Sequence, residues 1–371
     1  MVRLLLVTND FPPRVGGIQV YLWNIYRRLA ERGVQVRVLA PAHPGDSAFD
    51  AASGMDVVRW PGRVMWPTPS LRRRVEQLAR DVDVVAFGAV LPMNQLAARI
   101  DRPVAVHTHG FEVAWARLPV LVQGLRRIGR AASIVTVVSD FTRRFIERAL
   151  GSDVRTHLLR TGVDLERFHP GVDGSAIRKR HGLGGRPVVA CISRLVPRKG
   201  QDQIIRALPR IHASVPDAAA LIVGGGPYRA RLEKLVASLG LERSVVFAGE
   251  VAEDDLAASY AAGDVFAMPC RSRYAGLEVE GLGLVYLEAQ ACGRPAITGD
   301  SGGAPEAVLP GETGLVVRGG DARALADSVA RLLGDPAAAA RMGSAGRAFV
   351  ERAHRWDDVV SRYHAMLVAS T

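Results

Sequence analysis

Short apolar runs alternate with amphipathic segments along almost the whole chain, and this rhythm constrains the fold more than any other feature. A strand buried on both faces of a parallel sheet reads as a near-continuous apolar run. The helix that covers it shows one apolar side. In the first half, residues 4–7, 34–39, 82–87, 104–106 and 134–138 read as strands. After the first of them, Ile18, Tyr21, Leu22, Ile25 and Leu29 fall on one helix face. A second series begins at Val188, with strands at 188–192, 219–223, 245–247, 265–268 and 296–298 and helices near 200–214, 227–239, 254–262, 283–292 and 321–334. The turn-rich stretch 168–174 separates the two series, and 336–352 and 355–369 read as closing helices. The pattern predicts an α/β protein of two Rossmann-like, doubly wound domains facing across a cleft. The expected domains are 1–170 with the helix from about 354 to 371, and 171–353. Ligands in such sheets lie beyond the carboxyl ends of the strands.

The 371 residues suit two domains, and 48% apolar content fills two cores, which argues against disorder. Cys191, Cys270 and Cys292 have no paired spacing and form neither a disulfide nor a zinc framework; Cys191 and Cys292, in apolar surroundings, read as small buried thiols. The first ten residues run straight from an apolar strand into polar residues, unlike a signal peptide, and no stretch has the length of a membrane span. A cytoplasmic protein is expected. The net charge is +11, and of 48 basic residues only Lys179, Lys199 and Lys234 are lysine. Such a balance favours polyanions or an anionic membrane face. No basic run with interleaved aromatics points to nucleic acid.

Glu280-Gly-Leu-Gly-Leu-Val-Tyr-Leu-Glu288 carries the strongest chemical signal. Glu280 is expected in a loop and Glu288 two turns into a helix. Eight residues of helix rise about 12 Å, the span from the sugar of a nucleotide-diphosphate sugar to its ribose. The helix start at Gly283, Leu284 and Val285 would offer free N–H groups and a positive dipole end to the phosphates between.

Three further loops follow predicted strands. The loop 9–18 contains Asp10, Gly16 and Gly17 and opens a helix, so its backbone can approach a ligand closely. It lacks the dinucleotide fingerprint. The loop 193–200 places Arg194, Arg198 and Lys199 before a helix, where cations neutralise a departing diphosphate without a metal. His107 and His109 follow the strand at 104–106, with His109 expected in the cleft against sugar and His107 packed. Asp81-Val-Asp83 has the spacing of a metal-held diphosphate site but precedes a strand, at the wrong end of the sheet, so no metal requirement is expected. Leu71, Val75 and Leu78 with Arg72, Arg73 and Arg74 have the composition of a membrane-surface patch, and equally of an ordinary surface helix.

These motifs together resemble the retaining GT-B glycosyltransferases. The strings T-N-D-F-P-P-R-V-G-G-I-Q, T-H-G-F-E-V, S-R-L-V-P-R-K-G-Q-D, G-L-E-V-E-G-L-G-L-V-Y-L-E-A-Q-A-C-G and S-G-G-A-P-E are similar to the actinobacterial phosphatidylinositol-mannoside mannosyltransferases. The resemblance implies mannose transfer from GDP-mannose to a phosphatidylinositol mannoside-type lipid. It implies that Arg194 and Lys199 hold the diphosphate, Glu288 the ribose, and Glu280 and His109 the sugar. Gly17 would lend an N–H near the phosphates, and Asp10 would lie on the acceptor side. A soluble acceptor with another nucleotide sugar stays open, as does a non-catalytic basic protein at a membrane surface.

Overall fold

Among the described residues, every pairing between named strands is parallel. The computed structural model describes all residues except Met1, Val15, 90–92, Ser152 and Asp153, and only the main chain of Met93, Asn94, Pro119 and Val120. The glycine loop expected at 9–18 therefore has one position, Val15, outside the described residues. The chain divides into two compact units, Met1–Gly162 with Trp356–Thr371, and Val163–Arg355.

The first unit holds β1 (Arg3–Val7), β2 (Gln35–Pro41), β3 (Asp56–Trp60), β4 (Val84–Phe87), β5 (Val104–His107), β6 (Ile134–Val137) and β7 (Thr156–Leu158), in the order β3-β2-β1-β4-β5-β6-β7. Leu4 and Leu6 of β1 enter one apolar cluster, and Leu5 and Val7 enter another. The unbroken apolar run is thus a strand with a core on each face. The second unit holds β8 (Val188–Ile192), β9 (Ala219–Val223), β10 (Val245–Gly249), β11 (Val265–Met268), β12 (Ala296–Gly299) and β13 (Gly314–Val317), in the order β10-β9-β8-β11-β12-β13. The strand order reverses between β1 and β4 in one sheet and between β8 and β11 in the other. At such a point the loops diverge and open a crevice for a ligand.

The strands that periodicity missed are β3, β7 and β13, and each is an outermost strand. An edge strand meets solvent along one side and tolerates polar residues. Asp56-Val-Val-Arg-Trp60 and Thr156-His-Leu158 therefore lack the apolar run that marked the inner strands.

The last helix, Trp356–Ser370, packs on the first unit, with Trp356, Val359, Tyr363 and Leu367 in the cluster that holds Leu22, Ile25 and Leu29 of the helix Gly17–Glu31. Gly162 permits this contact, because a Cβ there would collide with the Trp356 ring. The Tyr26 hydroxyl lies 3.1 Å from the Tyr363 hydroxyl and 2.8 Å from His107 Nε2. The other ring nitrogen of His107 is 2.8 Å from Thr136 Oγ1. Burial pushes this imidazole down to about 3, so His107 is a neutral, packed histidine.

Two surface features also take definite form. Asp83 lies before β4, where its carboxylate bonds the backbone N–H and guanidinium of Arg3 and so closes the amino end of the sheet. The helix Pro69–Ala79 buries Leu71, Val75 and Leu78 in the core. These three residues therefore do not form the apolar side of a membrane patch. Arg73 faces solvent, Arg72 pairs with Glu76, and Arg74 reaches Gln77. Trp66 and Val64, just before this helix, are the exposed apolar residues there.

Candidate active site

In the second unit, the loops after β8 and β11 meet at the point where the strand order reverses. The chain leaves β8 through Ser193–Gly200 and makes a short turn over Pro197–Lys199. Gly200 then takes a left-handed conformation with φ 80°, pressed against the carbonyl of Pro269. A side chain at Gly200 would collide with that carbonyl, so the glycine fixes the turn beside the end of β11. Lys199 Nζ donates to both Glu280 oxygens, at 3.1 and 2.9 Å. Arg198 Nη1 also donates to Glu280 Oε2, and Arg198 Nε lies 3.5 Å from Glu278 Oε1.

The backbone of Glu280 is held as well. Its N–H donates to Ser301 Oγ at 3.2 Å, and its carbonyl accepts from the Gly303 N–H at 2.9 Å. Gly302 sits against the same carbonyl with φ 59°. Burial alone would raise the Glu280 carboxyl, but Lys199 and Arg198 outweigh it and hold the group below the ordinary range. The cluster is an ionised carboxylate facing two cations in a buried pocket. Gly302→Ala forces a Cβ into the Glu280 carbonyl and a non-glycine residue into the left-handed region. We expect a loss of about 1–3 kcal/mol, read as a lower midpoint in thermal unfolding.

The helix Leu284–Ala291 begins after Gly283 (φ 91°), with no side-chain cap and no acidic residue in its first turn. Its first amides remain available to a ligand. Glu288 lies one turn into this helix, not two, because the stretch from Glu280 to Gly283 is loop. The expected 12 Å of helical rise between the two carboxylates is thus corrected. Only about 6 Å of rise separates Leu284 from Glu288. Glu288 is buried, accepts a 2.6 Å bond from the Tyr260 hydroxyl, and is pushed up to about 7 by burial.

The Arg194 side chain is exposed, and Arg198 makes the contact with Glu280. The Arg194 carbonyl instead receives Gln201 Nε2 at 3.1 Å. Ser301, Gly303 and Tyr260 were missed. The Ser-Gly-Gly run after β12 is a glycine turn at a strand carboxyl end, a legible signal. Tyr260 arrives from the helix Asp255–Ala261, and nothing in the sequence links it to Glu288.

In the first unit the loop after β1 carries Asn9 and Asp10. Asn9 bonds both main-chain polar atoms of Met65, at 3.1 and 2.7 Å. Asp10 Oδ1 accepts from Gln19 Nε2 at 2.7 Å, and burial raises its carboxyl against the influence of Arg14. A Cβ at Gly16 would meet Gln19 Oε1, whereas one at Gly17 would meet nothing within 4 Å. The main chain at Gly17 is therefore open to a ligand, and the helix Gly17–Glu31 has neither a side-chain cap nor an acid in its first turn. His109 Nε2 donates to the Gly88 carbonyl at 2.6 Å, and its ring lies 5.4 Å from that of Tyr21, edge to face. Burial pushes the imidazole down to about 4. It is neutral near pH 7, with its proton on Nε2 and Nδ1 as an acceptor. Among the described residues no group of three or more His, Cys, Asp or Glu side chains could hold a metal ion.

Comparison with known proteins decides the family. Residues 15–167 match the model of Glycosyltransferase Family 4, and residues 173–349 match that of Glycosyl transferases group 1. The chain is 50% identical over 354 residues to the GDP-mannose-dependent alpha-(1-6)-phosphatidylinositol monomannoside mannosyltransferase of Mycolicibacterium smegmatis, covering 93% of this chain and 92% of that protein. The chain belongs to this family of glycosyltransferases. A Corynebacterium glutamicum relative, named for a monoacylated form of the same acceptor, is 44% identical and covers 96% of this chain and 95% of its own length. The fold is GT-B. The structure of Anabaena HepE in complex with UDP superposes with a TM-score of 0.84 over 100% of both chains at 24% identity. The glycosyltransferase thus shares its architecture with proteins whose sequences have diverged far from its own.

Proposed function

We propose that the enzyme transfers mannose from GDP-mannose to a phosphatidylinositol monomannoside through an α-(1-6) bond, with retention at the anomeric carbon. The observation that carries this reading is the buried cluster of Lys199, Arg198 and Glu280 beside an uncapped helix start. Relatives named for this reaction align over nearly the whole chain and support the choice of donor and acceptor.

In this reading Lys199 and Arg194, joined by Arg198, neutralise the diphosphate. The amides of Gly283, Leu284 and Val285 take further phosphate oxygens. Glu280 accepts from the mannose hydroxyls, and His109 offers Nδ1 to the sugar. Glu288 accepts from the ribose hydroxyls, Gly16 and Gly17 give backbone access near the phosphates, and Asp10 serves the acceptor. The bond from C1 to the phosphate oxygen breaks, the acceptor hydroxyl attacks C1 from the same face, and its proton passes to the departing phosphate. Preorganised cations stabilise the charge that grows on that phosphate. Transfer proceeds without a divalent ion, so a chelator leaves the rate unchanged. A rate restored only by added magnesium or manganese would reject this. The assay is label transfer from GDP-mannose to phosphatidylinositol monomannoside in mixed micelles. A soluble mannosyl acceptor used in preference to the lipid would favour the other acceptor class.

A lipid acceptor implies work at a membrane surface, and the cytoplasmic face is the proposed side. Among the described residues no helix is long and apolar enough to cross a membrane. Arg72, Arg73 and Arg74 with exposed Trp66 are the proposed contact with anionic lipid.

Glu288 gives the site a pH dependence. Ribose hydroxyls donate to its ionised form, so nucleotide binding pulls its pKa down from about 7 and releases protons near that pH. GDP affinity should weaken as pH falls from 8 to 6, and calorimetry in buffers of different ionisation enthalpy should register the protons released. Glu288→Gln removes both effects. In the empty enzyme the sign is reversed. The folded form binds this proton more tightly than the unfolded chain, so the group's contribution to stability falls as pH rises from the ordinary carboxylate range through about 7.

A further inference from the structure

A second cationic site lies on the Val163–Arg355 unit, lined by other side chains than those of the Glu280 cluster. A groove of about 530 Å³ runs between the helices Gln201–His212 and Arg229–Ser238. Arg206 lines it from one helix, and Arg231 and Lys234 from the other. Elsewhere on the same two helices the surface cations have partners. Arg210 donates to Asp327 at 2.6 Å and Arg229 to Glu233 at 2.6 Å. The three cations in the groove have no carboxylate partner among the described residues. Asp202, the acidic residue of the lining, does not supply one. It is buried and held by both terminal nitrogens of Arg271, each at 2.9 Å, and by Gln203 Nε2 at 2.9 Å.

Three unpaired cations on facing helices repel one another, and Arg231 and Lys234, three apart on one helix, also weaken that helix. Folding gains nothing from this arrangement, whereas an anion between the helices satisfies all three charges. A phosphate group suits them, since its charge and several oxygens accept from guanidinium and ammonium donors together. Tyr228 and Leu235 add an aromatic and an apolar wall, which fits an organic phosphate. We propose that this groove binds the phosphate group of an organic phosphate, as a site separate from the one that takes the donor nucleotide.

The test uses the full chain saturated with GDP, so that the donor site is filled. Glycerol 3-phosphate is titrated into it by calorimetry, and in a parallel arm the protein is sedimented with vesicles of phosphatidylglycerol in phosphatidylcholine. We expect salt-sensitive binding that weakens about tenfold or more in Arg231→Ala/Lys234→Ala, as loss of two charge-assisted contacts requires. The charge-keeping Arg231→Lys/Lys234→Arg retains it. A change in both arms, or in the glycerol phosphate arm alone, supports the site with a free phosphate as its ligand. A change in the vesicle arm alone supports it with a lipid headgroup as the ligand. If neither probe distinguishes the alanine variant from the wild type, the proposal is overturned.

Discussion

Lys199→Ala should lower kcat/KM for mannose transfer by about 10²–10³-fold, the cost of removing one preorganised donor from a charge-developing transition state. The lysine is buried and bonded to both oxygens of Glu280, so its removal also leaves that carboxylate with Arg198 as its remaining cation. Two consequences separate the substitution from a general loss of structure. GDP affinity falls along with the rate, because a cation facing the diphosphate is gone. The Glu280 carboxyl also moves upward, because burial is then less well opposed. Lys199→Arg should recover part of the affinity and little of the rate, since the larger planar guanidinium keeps the charge but does not fit the buried space of the compact ammonium. Wild-type turnover in Lys199→Ala, with a normal melting curve, would remove Lys199 from the chemistry.

Glu280→Gln should act in opposite directions on the two observables. The side chain keeps its shape and loses its charge, so the sugar hydroxyls face one neutral acceptor in place of a carboxylate, and transfer falls by about 10²–10³-fold. Lys199 and Arg198 lose their counter-charge at the same time and face the pocket unopposed. GDP should therefore bind the variant more tightly than the wild type, and the gain should shrink as salt rises. Parallel loss of transfer and of GDP binding would show instead that Glu280 serves only to hold the two cations in place. Calorimetric titration of GDP at two ionic strengths separates these outcomes.

What the sequence made legible follows from which residues are doubly buried. Inner strands such as Leu4-Leu-Leu-Val7 and Ala219-Ala-Leu-Ile-Val223 have protein on both faces, and their composition betrays them. Edge strands such as β7 share that role with solvent and leave no comparable mark. The site residues divide in the same way. Lys199 and Glu280 stand in loops directly after inner strands, where the backbone path alone delivers them to one crevice. The choice between Arg194 and Arg198 as Glu280's second cation was not legible, because it depends on how the turn at Pro197–Lys199 points each side chain. Glu288 was found by spacing, but its partner Tyr260 was not. A helix-to-helix hydrogen bond of this kind depends on packing that no local pattern encodes.

His107 and His109 show how two neighbouring residues of one type separate once the fold is known. Both are neutral through burial, but His107 has each ring nitrogen engaged by Tyr26 and Thr136, while His109 engages Gly88 through Nε2, and its Nδ1 is the atom proposed to meet the sugar. Substituting His109 should therefore affect transfer more than folding, and substituting His107 should do the reverse.

The most direct test is structural analysis of the lipid product formed by the purified enzyme from GDP-mannose and phosphatidylinositol monomannoside. Our account predicts a dimannoside in which the new mannose is joined by an α-(1-6) bond, with GDP released in equal amount. A β-linked product, or release of mannose to water with no lipid product, would contradict it.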